Sequence, residues 1–162
     1  MTRIHLLAAG FALAASPAFA ADYTLGALKI EHPSSRETPI AGGVGAGYLA
    51  IVNTGRDDDR LVGASAAVAD HVEIHTMSMA HGMMEMRALP DGLPLPHGQT
   101  TTLAPGGTHL MLMNLKHALK AGEQIPVELD FAKAGKLTVE FKVEPLQADQ
   151  SIKPMPMSMP QH

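Results

Sequence analysis

The chain has 162 residues, with 12 basic and 16 acidic side chains and no cysteine. That length suits one domain, and the acidic balance argues against nucleic acid as a partner. The absence of thiols excludes a disulfide framework, a thiolate metal site, a redox thiol and a lipobox cysteine to acylate.

Residues 1–20 read as a Sec-type signal peptide. Arg3 supplies the positive start, Leu6 to Ala15 the apolar run, and Ala18-Phe19-Ala20 a small-x-small cleavage site, with the cut between Ala20 and Ala21. Such a leader predicts a periplasmic protein. Removing Arg3 with it leaves 11 basic and 16 acidic side chains, a net charge of −5. The apolar run is too short to cross a bilayer, and no other segment approaches the ~20 apolar residues a span needs.

In the expected domain, 21–146, Asp22 to Ile30 alternates as an edge strand does. Glu31 to Glu37, with Pro33 and two serines, reads as a loop. Pro39 to Gly47 is glycine-rich without the Gly-Lys-Ser/Thr of a phosphate loop, so a close backbone crossing accounts for it better. Ala46 to Asn53 reads as a buried strand, Asn53-Thr-Gly-Arg56 as a turn, and Asp57-Asp-Asp-Arg60 as a solvated tip lacking EF-hand spacing. Leu61 to Asp70 predicts a strand entering a short turn or helical segment, and His71 to His75 predicts a strand.

Ala80-His81-Gly82-Met83 predicts a two-residue hairpin, with Gly82 taking the positive-φ turn position. Opposed residues then sum to 163: Met77 faces Met86, Met79 faces Met84, and His75 stands diagonal to Met86. Alternation puts these side chains on one sheet face and Thr76 and Ser78 on the other. Leu89 to Gly98, with three prolines, reads as a loop; Thr100 to Leu103 as a strand; Ala104 to Gly107 as a turn. His109 to Leu115 predicts a strand with His109, Met111 and Met113 on one face and Leu110 and Leu112 on the other. Ile125 to Phe131 and Lys136 to Val143 are two more alternating strands. Seven or eight short strands without an amphipathic helix predict an all-β sandwich. Residues 147–162, ending in Met155, Met157, Met159 and His162 among prolines, predict a disordered extended tail.

Seven of the ten methionines beyond Met1 fall between His71 and Met113, interleaved with His75, His81 and His109. Thioether sulfur is soft and imidazole nitrogen borderline, a combination that suits Cu(I) and suits Mg²⁺ or Ca²⁺ poorly. Unlike thiolates, these ligands survive an oxidising compartment. A methionine stripe is ordinarily core filler, so the residues alone leave copper binding and packing both open. His81 reads as a turn residue, His71, His97 and His117 as surface histidines, and His32 carries no signal. Catalysis is not supported. A histidine brace needs histidine at the mature N-terminus, where Ala21 is expected; a blue-copper carrier needs cysteine; no nucleophile triad or paired carboxylates stand out.

The runs Tyr48-Leu-Ala-Ile-Val-Asn-Thr-Gly55, Asp59-Arg-Leu-Val-Gly-Ala-Ser65, Val72-Glu-Ile-His-Thr-Met77, Met84-Glu-Met-Arg87, Pro105-Gly-Gly-Thr-His-Leu-Met-Leu-Met113 and Phe131-Ala-Lys-Ala-Gly135 closely resemble the periplasmic copper chaperones of the PCuAC family. The resemblance covers roughly residues 22–145. That family's motif is a histidine, ten residues, a methionine, about twenty-one residues, then His-x-Met. Here ten residues separate His75 from Met86, and twenty-two precede His109-Leu-Met111, the extra one falling in the proline-rich loop.

The resemblance implies a cupredoxin-like Greek-key β-sandwich binding Cu(I) through His75, Met86, His109 and Met111. It further implies delivery to the dinuclear copper centre of cytochrome c oxidase, alone or with a thiol-based partner chaperone. Apart from the resemblance, Met77, Met79, Met83, Met84 and Met113 are lesser candidates: one or two are expected to flank the site as soft, desolvating neighbours and the rest to pack, with Met77 the candidate secondary ligand. Met155, Met157, Met159 and His162 resemble the tails of some members, which add a second copper site, here for Cu(II) as well. A copper-resistance buffer and a secreted interaction domain without metal are the competing readings.

Overall fold

A computed structural model of the chain describes residues 22–146. Among these residues it contains eleven β-strands and no α-helix. The strands are β1 (Tyr23–Leu25), β2 (Leu28–Arg36), β3 (Gly45–Asn53), β4 (Asp59–Ala66), β5 (Ala69–Ala80), β6 (Met83–Ala88), β7 (Leu93–Leu95), β8 (Thr100–Leu103), β9 (His109–Leu115), β10 (Gln124–Phe131) and β11 (Gly135–Glu144). Seven of them close on themselves in the order β2-β11-β10-β4-β5-β9-β3 and back to β2. The β11–β2 pair is parallel and the other six are antiparallel. The chain passes from β3 to β4, and again from β9 to β10, by skipping two strands of the ring, which is the Greek-key connection. The remaining strands pair outside the ring: β1 on β2, β6 on β5, β7 on β4 and β8 on β3.

The period-two pattern makes the core. β3 alternates buried and half-buried along its whole length, while β10 and the second half of β11 alternate buried with half-buried or exposed positions. Ile30, Ile51, Leu61, Leu110, Leu112, Leu129, Val139 and Phe141 are fully buried inside the closed sheet. Each such side chain stabilises the fold by about 1.5–3 kcal/mol relative to exposure. Gly47 is where the glycine-rich approach meets this core. A Cβ there would lie 2.8 Å from the Phe141 ring and 3.3 Å from Leu110 Cβ. The close-crossing reading of that segment therefore holds, and its reason is the Phe141 ring.

Four expectations are corrected. The Asp22–Ile30 segment is a hairpin, β1 to β2, turned at Gly26 with φ +58°. The expected loop 31–37 is largely strand, because β2 runs on to Arg36. Its register on β3 shifts between Glu31 and Ser34, where His32 adopts φ +52°. A bulge leaves residues unpaired, so Pro33 sits there without breaking a ladder that needs its missing N–H. Within the expected loop 89–98, Leu93-Pro-Leu95 forms β7 against β4, burying both leucines and leaving Pro94 exposed between them. The acidic tip is only partly solvated. Asp59 accepts hydrogen bonds from the backbone N–H groups of Lys133 (2.9 Å) and Ala134 (3.0 Å), and Asp58 accepts from the His97 backbone N–H (2.9 Å). Asp57 alone of the three lacks such a partner among the side-chain hydrogen bonds of the described residues, although its carbonyl accepts from Asn53 Nδ2 at 2.9 Å.

Residues 66–69 form a tight turn from β4 into β5, the simpler of the two expected forms. The expected signal peptide at 1–20 and the expected disordered tail at 147–162 lie outside the described residues.

Candidate metal centre

The site is built on the three-strand segment β6-β5-β9. The β5–β6 register is the one the sequence predicts, with Met77 opposite Met86, Met79 opposite Met84 and Ala80 opposite Met83. His81 and Gly82 form the turn with φ of +52° and +79°. Two successive positive φ values match a type I′ turn, whose twist suits the flanking strands. His81 thus occupies a turn position, as expected.

On its other edge β5 pairs with β9, placing His75 opposite His109, Glu73 opposite Met111 and His71 opposite Met113. Ile74, Leu110 and Leu112 point into the core, so the alternating His75, Glu73, His109 and Met111 share the outer face. The four motif residues are therefore gathered on one face. His109 stands directly across from His75, with ring centroids 6.3 Å apart at 48°. Met111 lies one step along β9. Met86 lies diagonal to His75 on the opposite edge, half exposed.

Hydrogen bonding fixes the two rings. His109 is only 6% exposed, and its Nδ1 lies 3.0 Å from the Gly107 carbonyl oxygen. A carbonyl only accepts, so Nδ1–H donates and the lone pair of the neutral ring is on Nε2. His75 Nε2 lies 2.6 Å from a carboxylate oxygen of Glu73. This hydrogen bond is the main cause holding the Glu73 carboxyl below its ordinary range, against an opposing contribution from desolvation. The neutral His75 ring then carries its proton on Nε2, leaving the lone pair on Nδ1. That Nδ1 is buried and has no hydrogen-bond partner, the only such side-chain atom among the described residues.

An orphaned, buried imidazole nitrogen normally carries a cost of about 1–3 kcal/mol. A soft metal removes that cost, and a metal-bound histidine usually gives its other N–H to a carboxylate or a backbone carbonyl. His75 and His109 show these two arrangements, so the donor set fits copper. Among the described residues no three His, Asp or Glu side chains are grouped to hold a metal. The thioethers of Met86 and Met111 on the same face add soft donors to the two imidazoles, a set that suits soft ions.

Glu73 is a candidate functional residue that the motif does not include. The signal was available: on a strand, Glu-x-His puts carboxylate and imidazole on the same face. Glu73 also bonds His71 at 3.2 Å. His71, His97 and His117 are exposed and lie beside Glu73, Asp58 and Glu123 respectively, matching the expectation of surface histidines. Met77 is half-buried on the site's face, opposite Met86, and Met113 is half-buried opposite His71. Met79, Met83 and Met84 are exposed. The expected tail ligands Met155, Met157, Met159 and His162 lie outside the described residues.

Comparison with known proteins yields three groups of likenesses. The family model described as "Putative lipoprotein LpqE-like" matches residues 28–143. A curated relative, "Putative lipoprotein Lxx21020" from Leifsonia xyli subsp. xyli (strain CTCB07), is 38% identical over 90 residues, 56% of this chain and 54% of that protein. The chain thus spans about half the length of the curated relative it matches. Among solved structures, the copper-bound PCuAC domain from PmoF2 is 32% identical with a TM-score of 0.64, covering 77% of this chain and 98% of that one. The apo PCuAC domain from PmoF1 is 29% identical with a TM-score of 0.65, covering 77% and 99%. The Cu(I) form of DR1885 from Deinococcus radiodurans is 28% identical with a TM-score of 0.56, covering 71% and 78%.

Proposed function

The chain belongs to the LpqE-like family and carries a PCuAC domain, and from this premise we propose that it is an extracytoplasmic copper chaperone that binds Cu(I) through His75, Met86, His109 and Met111. The observation that carries the reading is the pair of histidines. Each has one ring nitrogen occupied, by Glu73 or by the Gly107 carbonyl, and the other free, on a face that also holds two motif methionines. The signal-peptide reading of residues 1–20 supports a periplasmic location.

The ligand chemistry suits transfer rather than storage or catalysis. Two imidazoles and two thioethers are neutral, so they leave the charge on copper uncancelled. A thiolate-rich acceptor therefore wins on affinity. Met86 is half exposed at the rim while His109 is buried, so an acceptor's ligands can displace the outer thioether first and the inner imidazole last. Cu(I) tolerates the changing coordination because it has no ligand-field preference. The acceptor that fits is the dinuclear copper centre of cytochrome c oxidase, reached directly or through a thiol-based chaperone.

A deletion strain tests the role. Under copper limitation, loss of oxidase activity restored by added copper supports delivery. Normal oxidase activity with sensitivity to excess copper would replace delivery by buffering. No phenotype in either condition, with a purified protein that takes up no copper, would leave an interaction domain without metal.

A further inference from the structure

Beyond the four-residue site, the β5–β6 ribbon carries a second set of sulfurs that the chaperone reading does not use. Met79 and Met84 are directly opposed, and Met77 lies one row inward on the same face. Met79 is 67% exposed and Met84 54%. The other face of the ribbon presents Thr76, Ser78, Glu85 and Arg87, with Ala80 and Met83 at its tip, so four of the five ribbon methionines share one face and the polar side chains take the other. Every apolar position on the thioether face beyond His75 is methionine; no leucine, valine or isoleucine appears there. Packing alone would be met as well by branched aliphatics, which specify a core better and are less flexible. With two of these methionines more than half exposed, there is little packing for them to serve.

We infer that Met77, Met79 and Met84 form a second, open Cu(I) site made only of thioethers, extending outward from the Met77–Met86 row. Directly opposed side chains on a sheet have Cβ atoms about 4.5–5.5 Å apart, with diagonal neighbours about 7–8 Å away. Three flexible χ angles let methionine sulfur cover that spread. A closed-shell ion accepts two or three such ligands without a geometric demand, whereas Cu(II) and Zn²⁺ favour nitrogen and oxygen donors, which these three side chains do not supply. The site is weaker than the His75/His109 site because it has no imidazole, and it exchanges faster because it is exposed. It does not depend on the four-residue assignment, since it shares no ligand with it.

The test is a titration of the full mature chain carrying ¹³C-labelled methionine methyl groups. Ag(I), a redox-silent stand-in for Cu(I), is added past two equivalents, and wild type is compared with the double variant Met79→Leu/Met84→Leu. The expected result is that the Met77, Met79 and Met84 methyl signals move with a later equivalent than the one that moves Met86 and Met111. The double variant then binds one equivalent fewer and keeps the tight one. Unmoved Met79 and Met84 signals, or an unchanged stoichiometry in the variant, would overturn the second site. Unmoved Met86 and Met111 signals would instead sink the four-residue site, and the two failures are read from different resonances. Exposed Met-to-Leu changes keep volume and shape, and the backbone amide spectrum checks that the fold is retained.

Discussion

β5 is one strand with two different halves. From Ala69 to Ile74 it lies in the closed ring between β4 and β9, and its inward residues meet Leu110 and Leu112. From His75 to Ala80 it leaves β4, pairs with β6, and carries bare methionines into solvent. His75 stands at the junction, paired with His109 on one edge and Ala88 on the other. The difference shows how a folded barrel can hold an exchangeable metal. The inner half fixes the imidazoles through packing and hydrogen bonds, and the outer half supplies thioethers that are free to move.

The contrast in stability should break along that junction. Leu112 is fully buried opposite Val72 on the inner half, so Leu112→Ala should cost about 2–5 kcal/mol in denaturant unfolding. Met79→Leu on the outer half should change stability by no more than about 0.5 kcal/mol. Comparable losses at the two positions would mean that the ribbon is part of the core and the division is false.

Glu73 sharpens the comparison, because it acts from the inner half on the residue at the junction. Glu73→Gln keeps size but removes the charge that orients His75 Nε2–H. Loss of a partner to a metal-bound histidine typically costs about 10–100-fold in affinity, so Cu(I) binding should weaken by that factor while the unfolding midpoint hardly moves. An unchanged affinity would reduce Glu73 to a surface neighbour.

The smallest effect lies at the exposed Asp58–His97 pair, which makes no hydrogen bond to the four motif residues, and serves as a control. The Asp58 carboxyl is held below its ordinary value of 3.8 by the His97 backbone N–H first and the His97 ring second. A depressed folded-state pKa gives stability that is present above the unfolded value and lost as pH falls through the folded one. His97→Ala should therefore flatten the fall in urea midpoint below about pH 4 and leave copper binding untouched. An unaltered acid limb would show that the His97 ring adds nothing measurable to what its backbone N–H provides.

Much of this was legible in the sequence, for a physical reason: period-two alternation and a His-Gly turn are local. They placed Met77 opposite Met86 and His75 beside it, and put His109 and Met111 on a common face. What escaped was set by distant partners. Asp59 looks like a solvated acid until the amides of Lys133 and Ala134, over seventy residues away, are brought to it. Pro33 reads as a loop residue because a bulge has no sequence period. Leu93 and Leu95 are hidden by Pro94, and only the edge of β4 explains them as strand. Glu73 went unread because its role depends on which nitrogen of His75 it meets.

The central claim is that one Cu(I) is held by His75, Met86, His109 and Met111. The most direct measurement is an anaerobic Cu(I) titration of the mature protein against a chromophoric chelator, for the full chain and a truncation ending at Pro145. It is repeated in both with Met86→Leu and with Met111→Leu. The expected result is tight binding of one Cu(I) by the truncated domain, weakened severely in each variant. Binding that vanishes on truncation alone, or survives both substitutions, would contradict it.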